Sequence, residues 1–320
     1  MKITKLTKSV LIILFLCLTI LIIKNQYSPL LLQNSTYGIP PLIKHGSVEN
    51  LYIGSSMFRQ GLDIHTLSRN ASDSYILAYN GNQPALEYYQ LKYLIDHNVT
   101  IKNLYVDMYV YSSWEAPEIS DEKIFMEIDL PEKRKLWELI NQDSSISVSL
   151  ETFWRIFVNS NNEILLTFPI SFPILNKQFS HGGTLLKTDS ASFETLSAYS
   201  APALKPAMNS TQKYYIKELI HLAKENNINV VFLETPKFET IAHADSYLSA
   251  MYTYTKLLDS EQTPYILTQT TRQSNSFSPL TKYYNFDTTN HEYFMDAIHL
   301  SSYGREKFTE LILSFSLQSS

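Results

Sequence analysis

In the segment VENLYIGSS, residues 48–56, an apolar run ends at a glycine and two serines. Residues 48–54 have the length and the β-branched and aromatic content of a buried strand, and the Gly-Ser-Ser that follows predicts a tight turn into a helix. A serine in this turn stands at the carboxyl end of the strand, where the start of the next helix offers backbone N–H groups to a developing negative charge. Serine is also a common helix N-cap. The stretch alone therefore predicts either a capped turn or an exposed nucleophile.

Strand-like and helix-like patterns alternate along the rest of the chain. Further strands are predicted at residues 74–79, 101–111, 230–233 and 264–267. Helices are predicted at residues 84–97, 211–226, 242–258 and 302–314. Strands separated by helices of this length predict an α/β fold, a three-layer α/β/α sandwich with a mostly parallel sheet. In such sheets the ligand lies beyond the carboxyl ends of the strands, which is where the Gly-Ser-Ser turn stands.

A second motif lies near the end of the chain, where Asp296 stands three residues before His299 on a turn that leads into the last predicted helix. An aspartate in this position can accept the imidazole Nδ1–H, which fixes the tautomer and leaves Nε2 free to accept a serine proton. Parallel strands bring their carboxyl ends to one edge of the sheet. We therefore expect Ser56 Oγ within hydrogen-bond reach of His299 Nε2, with Asp296 bonded to Nδ1.

The composition excludes several classes of function. Among 320 residues, 44% are hydrophobic and 18% charged, which is typical of a globular protein. A formal net charge of −5 argues against a nucleic acid as the natural ligand. The single cysteine excludes internal disulfides and multi-cysteine metal centres, and the sequence has no P-loop, no dinucleotide-binding glycine motif and no zinc-protease histidine pair. We expect no cofactor and no metal.

The N-terminal region predicts a membrane anchor. Lys2, Lys5 and Lys8 precede an uncharged run at residues 9–23, which ends at Lys24. A helix over this run is roughly 22 Å long, and it can span a hydrocarbon core of roughly 30 Å where the flanking lysines reach the interface or the bilayer thins. A cleaved signal peptide is the alternative, but no small residues suited to cleavage follow the run. The lysines predict a cytoplasmic N-terminus and a single-pass protein of the cell membrane with its C-terminal domain extracytoplasmic.

Three regions follow from these patterns. Residues 1–24 are predicted to form a cytoplasmic tip and signal anchor, residues 25–45 a proline-containing stalk, and residues 46–318 the α/β domain. Within the domain, residues 112–206 break the strand–helix alternation and hold all three tryptophans. We interpret them as an inserted helical segment that either decorates the packing or forms a cap facing the substrate.

The two motifs resemble the signature blocks of the SGNH/GDSL hydrolases. That family opens with Gly-Asp-Ser after the first strand and a glycine five residues beyond the serine, and it closes with Asp-x-x-His and a glycine five residues after the histidine. Here the first block is Gly54-Ser55-Ser56 with Gly61, and the last runs from Asp296 to His299 with Gly304. The resemblance covers residues 46–110 and 208–316. It implies Ser56 as the nucleophile, His299 as the base and Asp296 as the residue that orients it.

The oxyanion hole is matched in part. The resemblance implies backbone N–H donors from Ser56 and from a glycine after the second strand, which maps to Gly81, with Asn80 or Asn82 as a side-chain donor. The family's third block, Gly-x-Asn-Asp, is absent, because the third strand ends in VDMYVY. Its Asp107 is interpreted either as a residue that faces the site or as a strand-end carboxylate that caps a neighbouring turn, and we favour the cap.

Ser55 stands where the family has aspartate. A Gly-Ser-Ser block behind an N-terminal anchor is similar to the membrane-anchored branch involved in teichoic-acid D-alanylation and exopolysaccharide O-acylation. The resemblance implies an esterase or acyltransferase acting on acyl groups of such a surface polymer, with a multi-pass membrane acyltransferase as a candidate partner. The alternative is a non-catalytic binding or assembly factor, which the absent third block favours. Arg59 is a candidate contact for a phosphate or for the inserted segment, and Lys237 is interpreted as a solvated loop residue or a contact for an anionic substrate.

Overall fold

A six-stranded sheet forms the centre of the domain. The computed structural model describes residues 5–34, 38–69, 73–142, 146–158, 182–183, 187–205, 207–272 and 279–316. The strands are β1 (Ser47–Gly54), β2 (Ser74–Ala78), β3 (Thr100–Asp107), β4 (Asn229–Leu233), β5 (Tyr265–Thr268) and β6 (Thr281–Tyr284). Their order across the sheet is β2-β1-β3-β4-β5-β6, and every neighbouring pair is parallel. The predicted α/β fold with a parallel sheet is confirmed.

The helices of the described residues follow the chain in this order: α1 (Lys5–Leu31), α2 (Ile39–His45), α3 (Ser56–Gly61), α4 (Ile64–Arg69), α5 (Pro84–Asp96), α6 (Val110–Trp114), α7 (Lys123–Glu127), α8 (Leu130–Ile140), α9 (Ile146–Phe153, continued as a π-helical turn over Trp154–Val158), α10 (Phe193–Ser197), α11 (Ser210–Glu225), α12 (Glu239–Ala242), α13 (Asp245–Ser260), α14 (Gln269–Arg272) and α15 (Ser302–Ser316). Short 3₁₀ turns cover Leu32–Asn34 and His291–Tyr293.

Helices cover both faces of the sheet. Right-handed crossovers place α5 and α11 on one face, where they pack against each other, and α3 and α4 on the other face, where α15 packs on both. The core between the layers is made of buried strand residues such as Leu51, Ile53, Leu104, Val106 and Phe232. The chain runs outward from β1 to β2 and then returns across β1 to β3. In sheets with such a reversal, the ligand usually lies at the carboxyl ends of the two strands on either side of it, which are β1 and β3 here.

Most predicted elements appear within a few residues of their expected bounds, but one predicted strand ends early and one strand of the sheet was not predicted. The strand predicted at residues 101–111 ends at Asp107, because Val110–Trp114 form α6. The edge strand β6 was not predicted. It has only four residues, of which Tyr284 alone is buried, so it lacks the apolar run by which a buried strand is recognised.

The helix α1 contains the predicted anchor. Its stretch Thr7–Leu30 is long and apolar enough to cross a membrane, judged by length and composition. Large apolar side chains between Val10 and Ile23 are exposed on this helix, and Phe15 is 68% exposed.

The predicted stalk at residues 25–45 was wrong. The helix α1 continues to Leu31, and α2 is a second helix whose residues 39–42 are buried in the domain. The adjacent prolines Pro40 and Pro41, which suggested an extended linker, occupy the first turn of α2. A missing N–H costs nothing there, because the first N–H groups of a helix have no intrahelical acceptor.

The insertion at residues 112–206 is largely helical where the structure describes it, from α6 to α10. Residues 143–145, 159–181, 184–186 and 206 of this segment lie outside the described residues. Gly182 forms a bridge to Ile76 of the edge strand β2, and the Gly183 N–H donates to the Ile76 carbonyl at 3.1 Å. The insertion thus covers part of the free edge of the sheet, which would otherwise expose unpaired backbone groups.

Candidate active site

The turn after β1 is held by a buried carboxylate. Ser55 is fully buried, and its Oγ donates to Asp107 Oδ2 at 2.5 Å while accepting the Met57 N–H at 3.1 Å. Ser55 is thus the N-cap of α3, and Asp107, at the end of β3, fixes that cap. A Cβ on Gly54 would stand 2.4 Å from the Asp107 Cβ, so only glycine allows the two strand ends to approach this closely. Burial raises the pKa of Asp107, against the opposing effects of Lys237 and the Ser55 hydrogen bonds.

Ser56, the next residue, is partly exposed and faces the loop before α15. Its Oγ lies 2.9 Å from His299 Nε2, across 243 residues of sequence. His299 Nδ1 lies 2.8 Å from Asp296 Oδ2, and because a carboxylate only accepts, Nδ1 carries the proton and Nε2 is left as the acceptor for the serine hydroxyl. The structure therefore brings Ser56, His299 and Asp296 into one line of hydrogen bonds.

The loop that carries Asp296 and His299 is fixed on several sides. Asp296 Oδ1 accepts the N–H groups of Ile298 and His299, both at 2.8 Å. Partial burial opposes ionisation of Asp296, but the hydrogen bonds and charge of His299 and these backbone groups outweigh it and lower its pKa. A Cβ on Gly304 would stand 2.0 Å from the Tyr293 carbonyl oxygen. Only glycine therefore lets α15 start this close to the loop.

The residues expected to complete the oxyanion hole form the turn after β2. Gly81 has a left-handed backbone conformation with φ of +63°, and its carbonyl accepts from Ser120 Oγ at 2.9 Å. Asn82 is buried, with its N–H directed at the Tyr79 carbonyl at 3.2 Å and its Nδ2 donating to Gln90 Oε1 at 3.0 Å. Asn80 is exposed. The backbone N–H and the side-chain amide of Asn82 therefore both donate within the protein. Among the hydrogen bonds that the structure describes, none involves the side chain of Asn80.

The two cationic candidates have different surroundings. Arg59 pairs with Asp121 of the insertion at 3.4 Å, which agrees with the inserted segment as its contact. Lys237 is 2% exposed, so its interpretation as a solvated loop residue was wrong. Its Nζ donates to the Thr235 carbonyl at 2.7 Å. Burial lowers the pKa of Lys237 to about 8, against the opposing effects of Asp107, Glu234 and Asp296.

Lys237 therefore belongs to a buried charge cluster that sequence reasoning missed. Glu234, at the end of β4, accepts from Tyr247, Thr271 and the Thr268 N–H at 2.7 to 2.9 Å. These bonds tie β4 to β5 and α13 beneath the candidate site. The only sequence signal was the dense placement of acidic residues and one lysine at the ends of β3 and β4, and that signal does not distinguish a buried cluster from a solvated edge.

The insertion contacts both sides of the candidate site. On one side, Ser120 and Asp121 bind Gly81 and Arg59, as described above. On the other side, the Thr188 N–H donates to Ser302 Oγ at 2.7 Å, and the Ala191 N–H donates to the Phe294 carbonyl at 2.8 Å. The insertion is thus bound both to the turn after β2 and to the loop that carries His299.

The tryptophans of the insertion do not provide a common aromatic surface at the site. Trp114 is 3% exposed in the core, whereas Trp137 packs edge-on against Phe153 of α9 and Trp154 is 61% exposed at the end of that helix. Among the residues that the structure describes, no group of three or more His, Cys, Asp or Glu side chains is arranged to hold a metal ion.

Comparison with known proteins finds a likeness among solved structures. No protein-family model matches this sequence, and no curated protein matches it significantly. Among solved structures, the chain is similar to a proposed acylhydrolase from Bacteroides fragilis NCTC 9343, with 9% sequence identity and a TM-score of 0.36 over 92% of this chain and 95% of that chain. At this identity and score the likeness defines no family.

Proposed function

We propose that this chain is a membrane-anchored extracytoplasmic serine esterase or acyltransferase that acts on acyl groups of a cell-surface polysaccharide or teichoic acid. The observation that carries the proposal is the line of hydrogen bonds from Asp296 through His299 to Ser56, at 2.8 and 2.9 Å. The position of Ser56 at the carboxyl edge of β1 supports the same conclusion. So does the contrast between partly exposed Ser56 and fully buried Ser55, since only the former can meet a substrate.

In the proposed first half-reaction, Ser56 Oγ attacks the acyl carbonyl carbon while His299 Nε2 takes the serine proton. Asp296 holds the imidazole in the required tautomer and stabilises the imidazolium that forms. The carbonyl oxygen becomes negatively charged and meets the N–H of Ser56, the first residue of α3, which has no acceptor within the helix. Gly81 is the proposed second donor. The C–O bond to the polymer then breaks, the polymer oxygen takes the proton from His299, and the acyl group remains on Ser56.

In the second half-reaction, His299 Nε2 takes the proton of an acceptor hydroxyl whose oxygen attacks the acyl carbon on Ser56. The bond from that carbon to Ser56 Oγ then breaks, and His299 returns the proton to Ser56 Oγ. Water as the acceptor gives an esterase, and a sugar hydroxyl gives an acyltransferase. The bonds of the insertion to both sides of the site support a role as a cap that controls which acceptor enters, because excluding water favours transfer. The apolar helix α1 supports placement at a membrane, where a multi-pass acyltransferase is the proposed partner.

A non-catalytic binding or assembly factor is the second candidate. It is favoured by the engaged donors of Asn82 and by the absence of the third block of the resembling family after β3. The two candidates differ in one measurable property, because only the enzyme needs Ser56 Oγ.

The test is hydrolysis of a short-chain p-nitrophenyl ester by the purified full-length protein. We expect Ser56→Ala and His299→Ala each to lower kcat/KM by about 10³-fold or more, with unchanged thermal stability. The matched controls are Ser249→Ala and His221→Ala, which alter exposed residues on α13 and α11 and should keep full activity. A folded wild type with no activity above that of Ser56→Ala would favour the binding factor.

A further inference from the structure

The part of α1 that follows the apolar run is bound to the domain by polar contacts that are buried or partly buried. Lys24 Nζ donates to the Val158 carbonyl at 3.1 Å, and Asn25 Nδ2 donates to the Phe157 carbonyl at 2.9 Å. Lys133 of α8, which is 2% exposed, donates to Asn25 Oδ1 at 2.9 Å. These contacts begin at the residue where the apolar run of α1 ends. The domain therefore meets α1 within about one helical turn, roughly 5 Å, of the end of that run.

The helix that receives these contacts, α9 with its π-helical turn, carries an exposed apolar face. Leu150 is 65% exposed, Trp154 61% and Phe153 41%. At about 100° per residue, these three positions fall within a sector of about 100°, and the exposed Glu151 lies at its flank. A cluster of large exposed apolar side chains on one helix face indicates an interaction surface.

The position of this face relative to α1 indicates what covers it. If residues 9–23 cross the hydrocarbon core, Lys24 and its partner Val158 lie in the adjoining headgroup region, which is about 5–7 Å thick on each side of a bilayer. Trp154 is one turn away from Val158. Tryptophan is enriched at this depth, and helices with one apolar face lie there with that face about 5–10 Å into the boundary of headgroups and acyl chains.

We propose that the face formed by Leu150, Phe153 and Trp154 binds the lipid interface of the leaflet next to the domain. The helices α1 and α9 then hold the domain in one orientation on the membrane, because Lys133 and Asn25 lock the end of α1 to the insertion. The proposal rests on the membrane anchor of the proposed function and is independent of the chemistry of Ser56.

The experiment measures the accessibility of nitroxide spin labels in the full chain, reconstituted in nanodiscs of phosphatidylethanolamine and phosphatidylglycerol. Cys17 is the single cysteine of the sequence and is exposed on α1, so the wild type reports on the anchor itself. In a Cys17→Ser background, Leu150→Cys and Trp154→Cys report on the apolar face, and Glu151→Cys is the matched control on the same helix. Molecular oxygen, which concentrates in lipid, is compared with a neutral nickel chelate, which stays in water.

We expect the label at Cys17, at Leu150→Cys and at Trp154→Cys to be more accessible to oxygen than to nickel, and the label at Glu151→Cys to show the reverse. Equal preference at Leu150→Cys and Glu151→Cys, or a water-accessible label at both positions of the apolar face, would overturn the proposal. A water-accessible label at Cys17 would overturn it together with the anchor. Ester hydrolysis, measured on the same preparations, shows separately whether the active-site proposal holds.

Discussion

The hydrogen bond from Ser55 to Asp107 leads us to predict the effect of one substitution in the first motif. The resembling family has aspartate in the position of Ser55, so Ser55→Asp would restore its Gly-Asp-Ser block. In this chain we expect the substitution to be harmful. Ser55 Oγ is fully buried and lies 2.5 Å from Asp107 Oδ2, so an introduced carboxylate would face a second carboxylate.

The size of the effect follows from the geometry. Two unit charges about 4 Å apart repel by about 4 kcal/mol at an effective dielectric constant of about 20. The hydrogen bond that Ser55 donates is lost in addition. We expect the free energy of unfolding to fall by about 5 kcal/mol at neutral pH, with about 4 kcal/mol from the repulsion and about 1 kcal/mol from the lost hydrogen bond. In mild acid the fall should be smaller, because two adjacent carboxyl groups can share one proton.

The assay is urea unfolding of the full chain in detergent, followed by tryptophan fluorescence. The matched control is Asp107→Asn, alone and combined with Ser55→Asp. The single control keeps an acceptor for Ser55 Oγ, and in the double variant the new amide donates to the introduced carboxylate. The double variant should therefore recover most of the lost stability. A Ser55→Asp variant as stable as the wild type at neutral pH, or one whose stability Asp107→Asn does not restore, would show that the two carboxylates do not repel each other.

Three further predictions concern the charged groups around the site and the insertion. Asp296→Asn should lower kcat/KM on a short-chain ester by up to about 10⁴-fold, because the amide would donate to His299 Nδ1 and impose the wrong tautomer; unchanged kcat/KM would contradict the assigned role. Burial raises the pKa of Glu127 from 4.5 to about 7, because the buried carboxyl group favours its protonated form. Protonated Glu127 therefore adds to the free energy of unfolding fully below pH 4.5, and this contribution is lost as the pH rises through 7. The loss is about 3 kcal/mol in the free energy of unfolding. Glu127→Gln should remove this pH dependence when unfolding is measured between pH 4.5 and 7, and the same pH dependence in both proteins would contradict the prediction. Lys237→Met should lower the free energy of unfolding by about 3 kcal/mol, because it leaves Asp107 and neighbouring carboxylates without their buried cation; a variant of wild-type stability would show that the cluster is not charged.

The sequence was sufficient for the parts of the fold that depend on short-range patterns. The apolar run before Gly54, the alternation of strands and helices, and the spacing from Asp296 to His299 led to the parallel sheet and to a serine and a histidine at one sheet edge. The reason is that all strands of a parallel sheet end at the same edge. A motif that directly follows a strand in the sequence therefore lies at that edge in the structure.

The parts that were missed depend on contacts between distant residues. Nothing local to Lys237 shows that Asp107 and Asp296 approach it from two other loops. The same applies to the predicted stalk, because Asn25 is held by Lys133 from more than 100 residues away. A proline-containing segment beside polar residues has the same local pattern whether it is solvated or docked.

The proposed chemistry requires that His299 activates Ser56 as a nucleophile. Fluorophosphonate labelling of the intact protein, with the modified residue located by mass spectrometry, tests it most directly, because the reagent reacts with activated serines. We expect labelling of the wild type at Ser56, whose Oγ lies 2.9 Å from His299 Nε2, and no labelling of Ser56→Ala or His299→Ala. Labelling at Ser55, or a folded wild type without any label, would contradict it.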